Sequence, residues 1–266
     1  ALLPASYSSY QWNDNIWFGL ATNTPFGLGT QNPAGTAARF HGLTSTVFST
    51  NINPNVAYKF NDVISVALGL QVEYFKVRLT SNSPVAGVTL NELKGGSWGV
   101  GFTAGVTLKP VQGTEIGIGY RSAVRQDLKG DLNTYTVISG NAPGITTPIQ
   151  TSVTLPETIT IGLRQQIAPQ WALLAGFEWM GWSRIKEPTV FNRTTGLPIT
   201  TLFLDYKDGW MASLGAEYKW SPEWTFRGGL AYERSPIDNG NRDVRLLDGD
   251  RDRAFHSGRS RRISDA

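Results

Sequence analysis

The sequence predicts an all-β protein: an antiparallel, up-and-down transmembrane β-barrel, incomplete as it stands. Three observations predict it. Apolar residues alternate with small or polar ones at a period of two over long segments, which gives each segment one oily face. Connections between segments rotate between very short and much longer. Aromatic residues gather beside the short ones, where amphipathic rings would lie at lipid headgroup level.

Strand-like segments fall at 1–11, 16–27, 46–60, 64–80, 96–110, 114–129, 153–167, 171–186, 208–220 and 224–236. The first pair is joined by Trp12-Asn13-Asp14-Asn15, residues that favour turns, and Trp17 follows it. Segment 46–60 ends in Tyr58 and Phe60 and turns through Asn61-Asp62-Val63 into 64–80. There the parity shifts around Tyr74–Lys76, so Phe75 marks either a bulge or the strand leaving the membrane. The clearest alternation sets Trp98, Val100, Phe102, Ala104, Val106 and Leu108 against Gly99, Gly101, Thr103, Gly105, Thr107 and Lys109. After a turn at Pro110–Gly113, Ile116, Ile118, Tyr120 and Val124 oppose Glu115, Gly117, Gly119, Arg121 and Arg125. Ala168-Pro169-Gln170, followed by Trp171, joins 153–167 to 171–186, and Ser221-Pro222-Glu223 joins the last pair between Trp220 and Trp224. The long connections are 28–45, 81–95, 130–152, 187–207 and 237–250.

A soluble β-sandwich or ligand-binding barrel also alternates. Segment length argues against it, because soluble strands run about five or six residues and a tilted membrane strand needs roughly 9–11. The second face carries Glu115, Arg121, Arg125, Arg164, Glu178, Glu217, Lys219, Arg227 and Glu233. Lipid on the oily face leaves these to the lumen, whereas a soluble fold would bury the oily face and turn them out to solvent.

Composition excludes other classes. Among 266 residues no apolar run reaches the roughly 18 of a membrane-spanning helix. Cysteine is absent, so neither a disulfide nor a thiolate site exists. The net charge of +3 is carried by Arg251, Arg253, Arg259, Arg261 and Arg262 against Asp252 and Asp265, and the balanced remainder supports no nucleic-acid footprint. The only histidines, His41 and His256, lack catalytic or metal-ligating company, so neither an enzyme nor a metal or cofactor site is expected. No leader precedes Ala1, and a mature fragment is the favoured reading.

Several stretches resemble the FadL-type family of outer-membrane transporters for long-chain fatty acids and aromatic hydrocarbons. They are Asn51-Ile52-Asn53-Pro54-Asn55-Val56-Ala57-Tyr58, Gly117-Ile118-Gly119-Tyr120-Arg121-Ser122, Leu155-Pro156-Glu157, Trp224-Thr225-Phe226-Arg227-Gly228-Gly229 and Ser235-Pro236-Ile237. Their order and spacing over 1–251 carry the resemblance. It implies a fourteen-stranded barrel with an N-terminal hatch, of which this chain holds about ten strands, from the second to about the eleventh. Residues 1–250 then form the partial barrel, without hatch or closing strands, and the complete protein is a monomeric barrel in the Gram-negative outer membrane. Asn32-Pro33-Ala34 repeats a hatch motif of the family, but in a long loop it reads as a turn. Residues 251–266 depart from the pattern. They have no period-two apolar face and read as an aberrant basic tail, from a reading-frame error or simple disorder.

The resemblance also implies a lateral exit through an inward kink in the third strand, which matches Leu20 to Thr30. Within it, Pro25 lacks a ladder donor and Gly27 weakens the strand, and Phe26 lies between them. Thr22, Asn23 and Thr24 are placed to satisfy the freed backbone groups. The bare sequence reads equally as a strand ending at its loop. Arg121, Arg125 and Arg164 share the luminal parity and could grip a carboxylate, or pair with Glu115, Glu178 and Glu217 in a structural network. Loops 81–95 and 130–152 match the family's substrate-collecting groove, with Val85, Val88, Leu90, Leu93, Val137, Ile138, Ile145 and Ile149 as its apolar side chains. The expected function is passive uptake of hydrophobic compounds, with the lipid bilayer and hydrophobic small molecules as partners. A diffusion porin for small polar solutes and a structural or adhesive barrel are the alternatives.

Overall fold

A computed structural model describes residues 4–33, 35–139 and 143–237, and the backbone of 256–261. Its strands are β1 (Ser6–Gln11), β2 (Ile16–Asn23), β3 (Gly27–Gln31), β4 (Thr44–Lys59), β5 (Ile64–Asn82), β6 (Val88–Leu108), β7 (Thr114–Arg121) and β8 (Val124–Thr136). They continue with β9 (Ile145–Leu155), β10 (Thr158–Ala168), β11 (Trp171–Met180), β12 (Thr189–Asn192), β13 (Pro198–Thr201), β14 (Gly209–Lys219), β15 (Trp224–Arg234) and β16 (His256–Arg261). All pair antiparallel in one sheet, whose main path runs β1-β2-β4-β5-β6-β7-β10-β11-β14-β15-β16.

Local hydrogen bonds close the short turns. Asn13 Oδ1 accepts from the N–H groups of Asn15 and Ile16 at 2.9 Å each. Asn61 Oδ1 does the same for Val63 and Ile64 at 2.8 and 2.9 Å. Each side chain supplies the acceptor that a reversing backbone lacks, so the sequence of the turn holds the hairpin. Aromatic rings cluster along this end, with Tyr58 and Phe60 edge-on at 4.8 Å and Trp171 and Tyr218 tilted at 4.6 Å between centroids.

Burial is inverted relative to a soluble protein. Leu68, Val100 and Leu214 are 62, 65 and 72 % exposed on the outer face, while Asn51, Gln71, Glu73 and Gln126 are fully buried within. A water-soluble sandwich would reverse both sets. Only a solvent of hydrocarbon makes the outward face favourable.

The strands run further than the sequence suggests. The connection expected at 81–95 is mostly strand, because β5 extends to Asn82 and β6 begins at Val88. The one at 130–152 shrinks likewise between β8 and β9, and 187–207 holds the small hairpin β12–β13. Alternation fades there because the extensions leave the oily zone, while backbone pairing continues without it. Segment 16–27 is broken between β2 and β3, and 171–186 ends at Met180, followed by a single 3-10 turn at Trp182–Arg184. Part of the tail expected to be irregular pairs with β15, from Trp224↔Arg261 to Gly229↔His256. An edge strand's open backbone groups accept a partner whatever its side-chain pattern. Ala34 of the Asn-Pro-Ala triplet, most of the 237–250 connection, and 251–255 and 262–266 lie outside the described residues.

Segments β7 and β8 behave as one long strand, and β9 and β10 as its partner. Arg121↔Thr158 and Val124↔Leu155 share a single register across the break. The break is local: Pro156 has no N–H to give the ladder.

Candidate functional site

The wall is interrupted where β2 gives way to β3. Both pair with β4, but Asn23 faces Asn51 and Gly27 faces Phe48, so Thr24, Pro25 and Phe26 stand opposite only Thr50 and Ser49. One residue too many forces the chain off the sheet. The ladder with β1 stops beside it, at Ser6↔Thr22. Ser49 repairs the backbone: its hydroxyl accepts from the Phe26 N–H at 3.0 Å, and its own N–H donates to the Phe26 carbonyl at 2.7 Å. This corrects the role expected of Thr22, Asn23 and Thr24. Thr22 stays in the ladder opposite Ile52, and Asn23 instead accepts from Asn51 Nδ2 at 3.3 Å.

Phe26 is carried inward by the interruption. Its ring meets Phe75 edge-on at 6.5 Å and Trp182 at 5.7 Å, and Trp182 meets Tyr206 at 5.8 Å. These rings border a cavity of about 340 Å³. Leu28, Val47, Val77 and Leu79 line it from β3 to β5, Ile149 and Leu155 from β9, and Ile185, Val190 and Leu202 from the segment after β11. The surface is nearly all apolar, so an apolar molecule there gains about 25 cal/mol for each Å² removed from water.

Glu157 and Arg184 fasten the segment after β11 beside this cavity. Pro156 ends β9, which turns the Glu157 carboxylate toward the 3-10 turn, and Arg184 Nη2 donates to Oε1 at 2.7 Å while Nε donates to Oε2. The paired hydrogen bonds from Arg184 hold the Glu157 carboxyl below the usual glutamate range, against the opposing pull of desolvation. Ser183 N–H donates to Asp208 at 3.0 Å, and burial pushes the Tyr206 phenol up. Trp182 is thereby held between the wall interruption and the long segment over the cavity.

The three candidate arginines do not converge. Arg164 donates to Glu217 Oε1 at 3.0 Å, and Arg227 takes Oε2 at 2.7 Å, which is a structural network. Arg125 turns the other way: it is exposed and paired with Asp127 at 3.0 Å, while Val124, Gln126 and Leu128 face inward. Parity changes at Arg121–Ser122, where consecutive residues both turn in. Arg121 alone keeps a luminal guanidinium with a buried, unpaired Nη1, in the polar layer of Glu73, Gln71 and Asn51 beneath the cavity. Of the expected groove residues only Leu93 and Ile149 line the cavity, and Val137 and Ile138 are exposed. Sequence reasoning missed Ser49, Trp182 and Val190. None carries a local motif, and their placement depends on strands distant in the chain.

Comparison with known proteins places these features in context. A family model described as outer membrane protein transport protein (OMPP1/FadL/TodX) matches residues 1–258. Long-chain fatty acid transport proteins of Salmonella typhi and Escherichia coli K12 are 27% and 24% identical, over 90% of this chain and 61% and 62% of theirs. The chain thus spans about 61% of the length of these curated relatives. Among solved structures, a Pseudomonas aeruginosa FadL homologue superimposes with a TM-score of 0.82 at 22% identity, covering 91% of this chain and 62% of that one. The Ralstonia pickettii toluene transporter TbuX gives 0.71 at 21%, covering 87% and 69%. These structural likenesses carry the barrel fold.

Proposed function

The chain belongs to the outer membrane protein transport family (OMPP1/FadL/TodX), and from that premise we propose that it takes up hydrophobic compounds passively and releases them sideways through its wall. The observation that carries this reading is the apolar cavity of about 340 Å³ bordered by Phe26, the residue displaced at the β2–β3 interruption. The cargo is an apolar molecule such as a long-chain fatty acid or an aromatic hydrocarbon, the classes named for the relatives in Salmonella typhi and Ralstonia pickettii. It enters from the side of the long connections, trades water for the cavity lining, and leaves past Thr24, Pro25, Phe26 and Gly27 into lipid. No bond is made or broken, and no cofactor takes part. None of the three candidate arginines is left to grip a cargo carboxylate in the cavity: Arg164 is committed to Glu217, Arg125 points away, and Arg121 faces the Glu73 carboxylate beneath the cavity. The working form is a single barrel whose partner is the bilayer.

Uptake of a labelled fatty acid and of an alkylbenzene into cells carrying the full-length protein tests this. Gly27→Arg places a charge in the exit, and uptake is expected to fall about tenfold while binding to the detergent-solubilised protein stays within about threefold. Unchanged uptake rules out the exit. Rapid swelling of proteoliposomes in small sugars, with no saturable binding of either cargo, makes the protein a diffusion porin instead.

A further inference from the structure

The oily outer wall ends at a defined height. From Ile64 beside its short turn, β5 runs eleven residues to Tyr74, and β6 runs eleven from Trp98 to Leu108. A tilted strand needs roughly 9–11 to cross hydrocarbon. Tyr74 and Trp98 are partners across the ladder, their rings tilted at 5.1 Å, and Trp98 is 62 % exposed. They mark the headgroup level on the side of the long connections.

Four cations stand just beyond that level on the same outer face. The first row holds Lys76, Gly96 and Lys129, and the next holds Arg78, Lys94 and Asp131. Leu93 and Leu128 turn to the cavity, so their neighbours Lys94 and Lys129 turn outward, and all four cations are exposed. Strands lie about 4.8 Å apart and these rows about 6.7 Å, so the charges share one small area. Arg78 directly faces Lys94, an arrangement that destabilises the sheet unless a counter-ion offsets it.

The nearby acids do not neutralise the patch. Buried Glu92 accepts from Arg78 Nε at 2.6 Å, and from Asn133 Nδ2 and Tyr135 Oη at 3.1 Å each. That carboxylate aims the guanidinium, because it holds Nε and leaves the Nη groups turned elsewhere. Asp127 is taken by Arg125, and Asp131 faces Lys94 across the ladder. Among the described residues Lys76, Lys94 and Lys129 form no ion pair.

Tyr74 adds a hydroxyl. A Cβ on Gly96 would stand 2.9 Å from Tyr74 Oη, so the bare glycine lets the ring lie across β6. The hydroxyl then sits over the gap between Lys76 and Lys129, with no hydrogen-bond partner among the described residues.

The geometry points to this patch as a seat for the phosphorylated headgroup of an outer-leaflet lipid. A phosphate monoester carries up to two negative charges and three acceptor oxygens. An aimed guanidinium, three ammonium groups and a phenol O–H match it. Basic clusters at a membrane edge recognise anionic headgroups in this way, and the Tyr74–Trp98 pair meets the tops of the acyl chains. The seat anchors the upper rim of the wall in its leaflet and takes no part in moving cargo.

Lipid A, which bears two phosphates, is the probe, titrated into full-length protein in neutral detergent and counted by native mass spectrometry. Saturable binding is expected. Lys76→Gln with Lys94→Gln and Lys129→Gln should weaken it at least about thirtyfold, and Tyr74→Phe about threefold. Should the triple change prevent folding, each lysine is replaced singly, with binding about threefold to tenfold weaker expected from each. Lys59→Gln with Lys109→Gln removes charge at the short-turn end and should leave binding within about threefold. Dephosphorylated lipid A should bind at least about tenfold more weakly than lipid A. Equal binding of the two lipids, or lysine variants that bind as the parent does, overturn the seat. So does an equal loss in the short-turn variant. Inorganic phosphate binding as tightly as lipid A makes the patch an anion site and overturns the lipid assignment.

Discussion

Glu157 shows how one residue ties the site together. Its carboxylate grips Arg184, the neighbour of Trp182, and the hydrogen bonds from Arg184 lower its proton affinity. A carboxyl depressed in the folded state contributes stability above its unfolded pKa, and loses it as pH falls through the lower folded value. Asp208 is the nearby acid that opposes the shift. The near-ultraviolet circular dichroism of the folded protein is therefore expected to hold from pH 7 down to about 4.5 and to weaken below that as the clamp protonates. Glu157→Gln should give the weakened signal at pH 7 and remove the acid transition. An unaltered transition in that variant assigns it to other groups. Leu155-Pro156-Glu157 stood out in the sequence, but its partner did not. Arg184 lies in a segment read as strand, and only the end of β11 at Met180 frees it to turn back.

Strands were legible where one face meets lipid, because period-two alternation is then obligatory. The interruption was half legible: Pro25 and Gly27 both oppose a continuous ladder, but the bare sequence read equally as a strand ending at its loop, and the family resemblance decided between the two. What holds it was not: Ser49 sits on another strand, and an ordinary serine within a strand carries no signal. Its hydroxyl accepts from the Phe26 N–H and donates to Glu73. Ser49→Ala leaves that N–H unpartnered inside the wall and should cost about 1–3 kcal/mol. Denaturant unfolding in detergent measures this, and a loss under about 0.5 kcal/mol means another group or water takes the bond. The passage from β7 to β8, where seven residues after Arg121 stand opposite six of β6 before Thr103, was hidden for a related reason. Gly99 and Gly101 read as the small face of a strand, and nothing local says that another strand lies across them. The parity of Arg125 failed with it, since the extra residue turns Val124, Gln126 and Leu128 inward and leaves Arg125 outside.

For the molecule as a whole, the inverted burial fixes the solvent. Leu68 lies mid-strand in β5 with 62 % of its surface exposed. Leu68→Arg on this face should destabilise the barrel in bilayers by about 2–4 kcal/mol, and the same change near a short turn by about 0–1. Equal costs at the two depths would mean that the oily face does not meet hydrocarbon. The barrel class followed from local patterns repeated along the chain, whereas the cavity came from how remote segments curl over one another. The notch beside Phe26 has a consequence that needs only counting. Three residues, Thr24 to Phe26, sit across from two, so loss of any one of them would match the strands and let the ladder close. A notched and a continuous flank are a single codon apart.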